Sequence, residues 1–481
     1  MKLQEIVFLI ILLGVAGYIR YTYIFAESIW VDETVYMWQG YRLLHSPMLL
    51  FSPDYYGNTL FPLIILAFFN IFTSDRFIAG RLATYFFSLI GIVFTYLIGK
   101  ELKDEYVGFL AALLVTVNPL HWFLGSRTLM DLPEATMVTG TVYFLLQFEK
   151  QRTPHHFAFL ILAGIATIFT KIPGALILPG ILFYYLLRMI ASPSGAWHHL
   201  SLLKDQKSLT LLFLGGAGIF TWSKFPFFLG MLRSLDPRLV FVNQLPFMFT
   251  YTILMFLALG IAFSFFYRKW DVVALLCVFF SFLLAFSLFP AEPDPRHIAP
   301  LLPLGILIAT FGYFEFGSLV KLFVHLPFEW VLLVVGIIFA FSLHELGTQF
   351  ILDKTYAFTG YNEAGQWLAE NLPQGALAYV SSQGPIRLFS GLGYNTEGGP
   401  MRQIQTFGEG AEPDFSKATA PIFLHIDIWE RGPQWSFPFT EEKLRKLEAK
   451  GFRVEKVVFR KYPTQQGLLD MPVHFFLAKL N

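Results

Sequence analysis

About eleven apolar runs occupy the first 350 residues of this 481-residue chain, at 6–26, 78–99, 106–121, 133–148, 157–172, 174–190, 208–223, 246–266, 272–290, 298–318 and 329–348. A bilayer's hydrocarbon core is about 30 Å thick, so a helical span needs roughly 20 apolar residues. Several runs fall short of that, but together they restrict the chain to a polytopic α-helical membrane protein. Composition agrees: 55% of residues are hydrophobic and 14% charged, with a mean hydropathy of +0.56, outside the range of soluble domains. A net charge of +1 without a basic tract excludes a nucleic-acid partner. Cys277 is the single cysteine and lies in an apolar run, so no intramolecular disulfide forms. The first run is too long for a signal h-region and lacks a cleavage site, so it reads as a retained helix despite Arg20. The segment 59–73 is short and carries Pro62, which suits an interfacial helix.

With a cytoplasmic N-terminus and a non-spanning 59–73, the inner loops carry Lys100, Lys103, Lys150, Arg152, Arg188, Lys204, Lys207, Arg268, Lys269 and Lys321, as the positive-inside rule requires. The outer side then holds Arg127, Lys171 and Arg296 beside apolar helices, where a lone charge is costly. We read these as retained to bind an anion; the other reading is weak obedience to the rule. If 59–73 crossed instead, Asp32 and Asp131 would lie on opposite sides of the membrane.

Beyond residue 350 charges become frequent and no stretch can span. Residues 362–373 read as an amphipathic helix stopped by Pro373, followed by a strand at 377–380. Further strands are expected at 421–426, 453–460 and 473–479, with a helix at about 440–450. The chain therefore divides into a membrane domain, 1–350, and a soluble α/β domain, 351–481, which an odd number of spans puts on the extracytoplasmic side. Glycines 391, 393, 398 and 399 fit no nucleotide fingerprint and read as a surface loop.

Chemistry-bearing residues collect in four places on that outer side. Asp32-Glu33 follows the first run directly, where two adjacent acids at a low-dielectric boundary make either a tuned proton acceptor or a helix cap. The hairpin 118–134 holds His121, Arg127, Asp131 and Glu134; Arg127 and Asp131, four apart, would neutralise each other on a helix. Lys171 stands between two runs, either as a ligand group or snorkelling to the interface. The fourth stretch, 292–297, sets Arg296 and His297 in a loop stiffened by Pro293 and Pro295.

Taken in order, Trp30-Val31-Asp32-Glu33 with Tyr36, the Pro119…Arg127…Asp131-Leu132-Pro133 hairpin, Gly164 through Lys171-Ile172-Pro173-Gly174, and Arg296-His297 through Pro303 resemble the motifs of the GT-C membrane glycosyltransferases. The nearest likeness is to the branch holding protein O-mannosyltransferases and the lipid A aminoarabinose transferase, and it runs along about residues 1–320. The resemblance implies a GT-C fold, a sugar donor carried on polyprenyl or dolichyl phosphate, and inverting transfer to a protein, lipid or glycan acceptor at the outer membrane face. It implies Asp32 as general base, Glu33 as its orienting neighbour, and Asp131 as a ligand of sugar or acceptor. Lys171, Arg127 and Arg296, with His297 beside them, are the candidates to balance the departing phosphate. Tyr55 and Tyr56 in the first loop are candidates to face the sugar, although interfacial belts are the commoner use of tyrosine.

No cofactor is expected. Asp32, Glu33 and Asp131 could hold a divalent cation, but a leaving group already balanced by lysine and arginine has less need of one. His344-Glu345 lacks the second histidine of a zinc-protease motif, and His155-His156 falls on the inner side. The alternative function is a transporter or flippase of lipid-linked sugars; against it stand the absence of an internal repeat and the collection of polar groups on one face.

Overall fold

The computed structural model describes residues 2–48, 60–191, 240–288, 294–321, 328–373, 376–392, 403–406, 421–429, 440–464 and 467–479. It divides into two compact units, Met1–Ile24 with Gly40–Thr348, and Phe25–Gln39 with Gln349–Asn481.

The first unit is helical. Its elements are α1 (Leu3–Ile24), the end of α2 (Val31–His45), α3 (Leu60–Phe72), α4 (Arg76–Leu102), α5 (Glu105–Val117), α6 (Pro119–Gly125), α7 (Asp131–Gln151), α8 (Pro154–Ile168), α9 (Ile177–Ala191), α10 (Val240–Phe266), α11 (Trp270–Leu288), α12 (Leu301–Val320) and most of α13 (Phe328–Tyr356). Side-chain caps set several starts. Asp75 accepts from two amides of α4, Asp104 from two of α5, and Asn118, followed by Pro119 at the first helical position, from two of α6.

Among the described residues seven helices are long and apolar enough to cross a membrane, fewer than the eleven runs of the sequence, for identifiable reasons. The run at 106–121 is broken at Asn118 into α5 and α6, bent by 68°. The run at 133–148 lies in α7, which carries Asp131, Glu134, Glu149 and Lys150; it tolerates them because most of it is packed inside protein. The run at 157–172 shortens to the 15 residues of α8, and 208–223 falls outside the described residues. The segment at 59–73 forms α3, 13 residues long, too short for a perpendicular crossing.

Arg20 and Arg81 are buried within this apolar bundle. Arg20 donates to the Ala16 and Thr116 carbonyls and lies 2.8 Å from His121 Nδ1. Arg81 donates to the Tyr23 and Ile24 carbonyls at the end of α1 and stacks on Phe77. A cation there satisfies the orphan carbonyls of a helix C-terminus. α10 and α12 cross at Gly260 and Gly312, where a side chain on either would run into the other helix's backbone, the small-residue contact typical of membrane helices.

The second unit is α/β. Its sheet has the order β2-β1-β3-β5-β4, with β1 (Leu377–Val380), β2 (Gln403–Thr406), β3 (Ile422–Asp427), β4 (Arg453–Thr464) and β5 (Gly467–Lys479). β1 runs parallel to β2 and β3, while β3 and β4 flank β5 antiparallel. The helices are α14 (Tyr361–Asn371), α15 (Gln383–Ser390) and α16 (Glu441–Ala449). Ile422, Leu424 and Ile426 of β3 pack with Leu447, Phe452 and Leu477 as a core. The segment 25–39 groups with this unit: Ile29 N donates to the Phe358 carbonyl, Ser28 Oγ to that of Lys354, and Glu27 accepts from Gly360 N and Arg460.

Candidate active site

The first unit brings three of the four motif stretches around one carboxylate. Asp131 opens α7, Lys171 precedes the short 3-10 helix Ile172–Leu176, and His297 lies in a second one, Pro295–Ile298. Lys171 Nζ is 2.5 Å from Asp131 Oδ1 and 3.7 Å from Glu134 Oε2, and His297 Nδ1 is 3.7 Å from Asp131 Oδ1. Asp131 is buried, whereas the Lys171 and His297 side chains keep 20% and 22% of their surface exposed. A ligand can therefore reach the cation from outside while the carboxylate holds it from within. Gly174 fixes the turn: a side chain there would collide with the Thr167 carbonyl, so glycine lets the chain fold back onto the end of α8 and point Lys171 at α7.

Two expectations change. Arg127 does not neutralise Asp131 along a helix, because residues 126–130 form the turn before α7; its guanidinium is buried over the Phe123 ring, 5.8 Å from the centroid. Nor are Lys171 and Arg296 lone cations, since Lys171 pairs with Asp131 and Arg296 Nε lies 3.1 Å from Asp294 Oδ2. Glu134, which the sequence places in the hairpin without a role, is fully buried, and among the described residues neither of its carboxyl oxygens has a hydrogen-bond partner. Its position three residues after Asp131, on the same helix face, was the available signal. Tyr55 and Tyr56 fall outside the described residues.

An apolar cavity of about 480 Å³ lies in the same unit, lined by α3, α4, α7 and α8. Along α7 it runs from Met137 to Phe144, and on the other side it reaches Phe169, two residues before Lys171. Its volume is that of a small-molecule site.

Asp32 and Glu33 belong to the second unit, in the first turn of α2. Glu33 is buried and its Oε1 accepts from Trp30 N–H at 3.0 Å, the return bond of a capping box. Asp32 is exposed. The pair thus divides its labour: Glu33 fixes the helix start and Asp32 faces solvent.

Residues 59–205, which contain Arg127, Asp131, Glu134 and Lys171, match the family model of dolichyl-phosphate-mannose-protein mannosyltransferase. No curated protein matches the chain. Among solved structures, ArnT from Cupriavidus metallidurans in the apo state is similar at a TM-score of 0.63 and 14% identity, over 98% of this chain and 97% of that one. The same protein bound to undecaprenyl phosphate gives 0.57 and 14%, over 98% of both chains. The apo oligosaccharyltransferase of Archaeoglobus fulgidus gives 0.55 and 14%, over 81% of this chain and 64% of that one. The likeness first carried by four short motifs therefore extends, as a likeness of fold, over nearly the whole chain, a multi-pass membrane protein.

Proposed function

We propose that this chain is an inverting glycosyltransferase that moves a sugar from a polyprenyl-phosphate donor to a hydroxyl or phosphate acceptor at the extracytoplasmic face. The observation that carries this reading is the placement of Lys171, paired with Asp131 and close in sequence to the end of an apolar cavity. A cation next to a greasy cavity fits an amphiphile with an anionic head, and undecaprenyl phosphate, the ligand held by ArnT in one of the similar structures, has that form.

Lys171, held against Asp131, turns its ammonium toward a phosphoryl oxygen, with His297 alongside and Arg296 paired with Asp294. As the glycosidic C–O bond breaks, negative charge grows on the departing phosphate, and fixed cations stabilise that charge without reorganising. Asp131 holds Lys171 in place and offers its remaining lone pairs to a substrate hydroxyl. Asp32 takes the proton from the acceptor as that oxygen attacks the anomeric carbon from the face opposite the phosphate. No metal is assigned to this reaction, which lysine and arginine can balance by themselves. The sugar's second carrier, whether protein, lipid or glycan, is recognised outside these residues.

The test is transfer of radiolabelled sugar from a polyprenyl-phosphate donor by purified protein. Bond cleavage with transfer or hydrolysis supports the enzyme; vesicle uptake of intact donor without cleavage would support the transporter. Lys171→Ala should weaken donor binding by about 10-fold or more, as loss of a hydrogen bond to a charged group does. Lys150→Ala, which breaks the contacts to Glu101 and Asp271, should leave it unchanged. Equal donor affinity in wild type and Lys171→Ala, measured by titration, removes lysine from the site. Sidedness is checked by impermeant thiol labelling on a Cys277→Ser background: single cysteines at positions 32, 171 and 370 should all label from outside. Protection at 171 with labelling at 32 would instead mean that 59–73 crosses.

A further inference from the structure

One cluster of metal-ligating side chains lies apart from the residues above, in the sheet of the second unit. His425 and Asp427 sit two apart on β3, so their side chains share one face of the sheet. Asp427 is paired across the ladder with His474 of β5, which puts all three on that face. One ligating atom from each lies within 4.8 Å of the others, and all three residues are buried. His425 Nε2 and His474 Nδ1 are 3.0 Å apart. Two imidazole nitrogens at that distance need something positive between them, either a shared proton or a cation.

The surroundings of each residue resemble the outer shell of a metal site more than a chance contact. His474 Nε2 lies 2.8 Å from the Thr359 carbonyl. Donation to that carbonyl leaves the Nδ1 lone pair directed at His425, the arrangement that fixes the tautomer of metal-bound histidines. The Asp427 carboxylate is oriented by donors on both oxygens: the Ser381 and Ser382 hydroxyls on Oδ2, and the Trp429 amide on Oδ1. Tyr361 in turn donates to Ser382 Oγ. His425 Nδ1 is buried and no described residue bonds it, so its ring proton can move from Nε2 to Nδ1 in exchange for the His–His bond, without the outer-shell acceptor that His474 has. Tetrahedral zinc with bonds of about 2.0–2.1 Å sets its ligands roughly 3.3 Å apart, close to the separation of the two nitrogens.

We propose that His425, Asp427 and His474 form a structural site for a divalent cation of the Zn(II) class, with a serine hydroxyl or a water as fourth ligand. On binding, His425 moves its proton to Nδ1 and gives its Nε2 lone pair to the metal, His474 gives Nδ1, and Asp427 gives a carboxylate oxygen; no proton is lost from either ring. The ion ties β3 to β5. Through the Thr359 carbonyl it also steadies the 358–361 corner, whose Phe358 carbonyl accepts from Ile29. This site does not rest on the glycosyltransferase reading, and its test does not use activity.

Full-length protein in detergent, stripped with chelator, is titrated with Co(II). One equivalent should give the intense visible absorption of tetrahedral cobalt, Zn(II) should abolish it, and Zn(II) should raise the melting temperature reversibly to chelator. His425→Gln and His474→Gln should remove the absorption. Ser382→Ala, which removes one of the two hydroxyls on the carboxylate, should weaken binding by about 10–100-fold. The paired change His155→Gln with His156→Gln should leave it intact. If either histidine variant fails to fold, the stripped wild type still decides. No tetrahedral cobalt spectrum in wild type, or one that persists without His425 or His474 in folded protein, overturns the proposal in favour of a simple hydrogen-bonded pair.

Discussion

Asp32→Asn should depress turnover by about 10²–10⁴, the usual range for loss of general-base assistance, while donor binding stays near wild type. The substitution keeps the size of the side chain and its exposed position in the first turn of α2, and removes its charge and basicity. Glu33→Gln should behave differently. Glu33 is buried and its Oε1 receives the Trp30 amide, a bond that a glutamine oxygen can also accept, so the main effect should be a modest loss of stability. Single-turnover assays of both variants, with donor affinity measured separately, distinguish the two roles. Under the proposed single displacement, the product anomer should be opposite to that of the donor. Retention of configuration, or near-normal turnover in folded, donor-binding Asp32→Asn, would falsify the assignment and leave Asp131 as the next candidate base.

Gly174→Ala should lower donor affinity as much as removal of Lys171 does, although Gly174 itself is assigned no contact with donor. An added Cβ meets the Thr167 carbonyl at the end of α8, and backbone on a packed helix end cannot give way as a flexible side chain can. The 3-10 turn must shift, and Lys171 shifts with it, away from Asp131. A displacement of about 1 Å in a positioning group can cost roughly 10²-fold in rate. Donor titration and kcat/KM should fall together in Gly174→Ala, with little change in the far-ultraviolet circular dichroism of the bundle. Unchanged affinity would mean that the turn is free to adapt and that the glycine is there for packing alone.

Much of the second unit was legible in the sequence because its elements are short and punctuated. The amphipathic pattern before Pro373 predicts 362–373, and the helix is Tyr361–Asn371; the expected strand at 377–380 is Leu377–Val380. The membrane helices were legible as apolar runs but not in number, because hydropathy registers sequence and not surroundings. α7 keeps four charged residues since protein, not lipid, surrounds most of it. The partner of Asp131 was hidden for a related reason. Spacing along one chain favoured Arg127, four residues away, whereas the actual partner is Lys171, 40 residues on, and only the packing of α7 against α8 brings the two together. The same limit applies to His425 and His474, 49 residues apart and joined by strand register.

The grouping of Phe25–Gln39 with Gln349–Asn481 bears on how this chain can be cut and recombined. A C-terminal fragment starting near residue 349 would lack the strip that donates to Lys354 and Phe358 and binds Arg460, and would expose the surface it covers. Moving that fragment by itself would separate Asp32 from the backbone that anchors it. A chimera meant to exchange the second unit should therefore carry two pieces, 25–39 and 349–481, transplanted as a matched set.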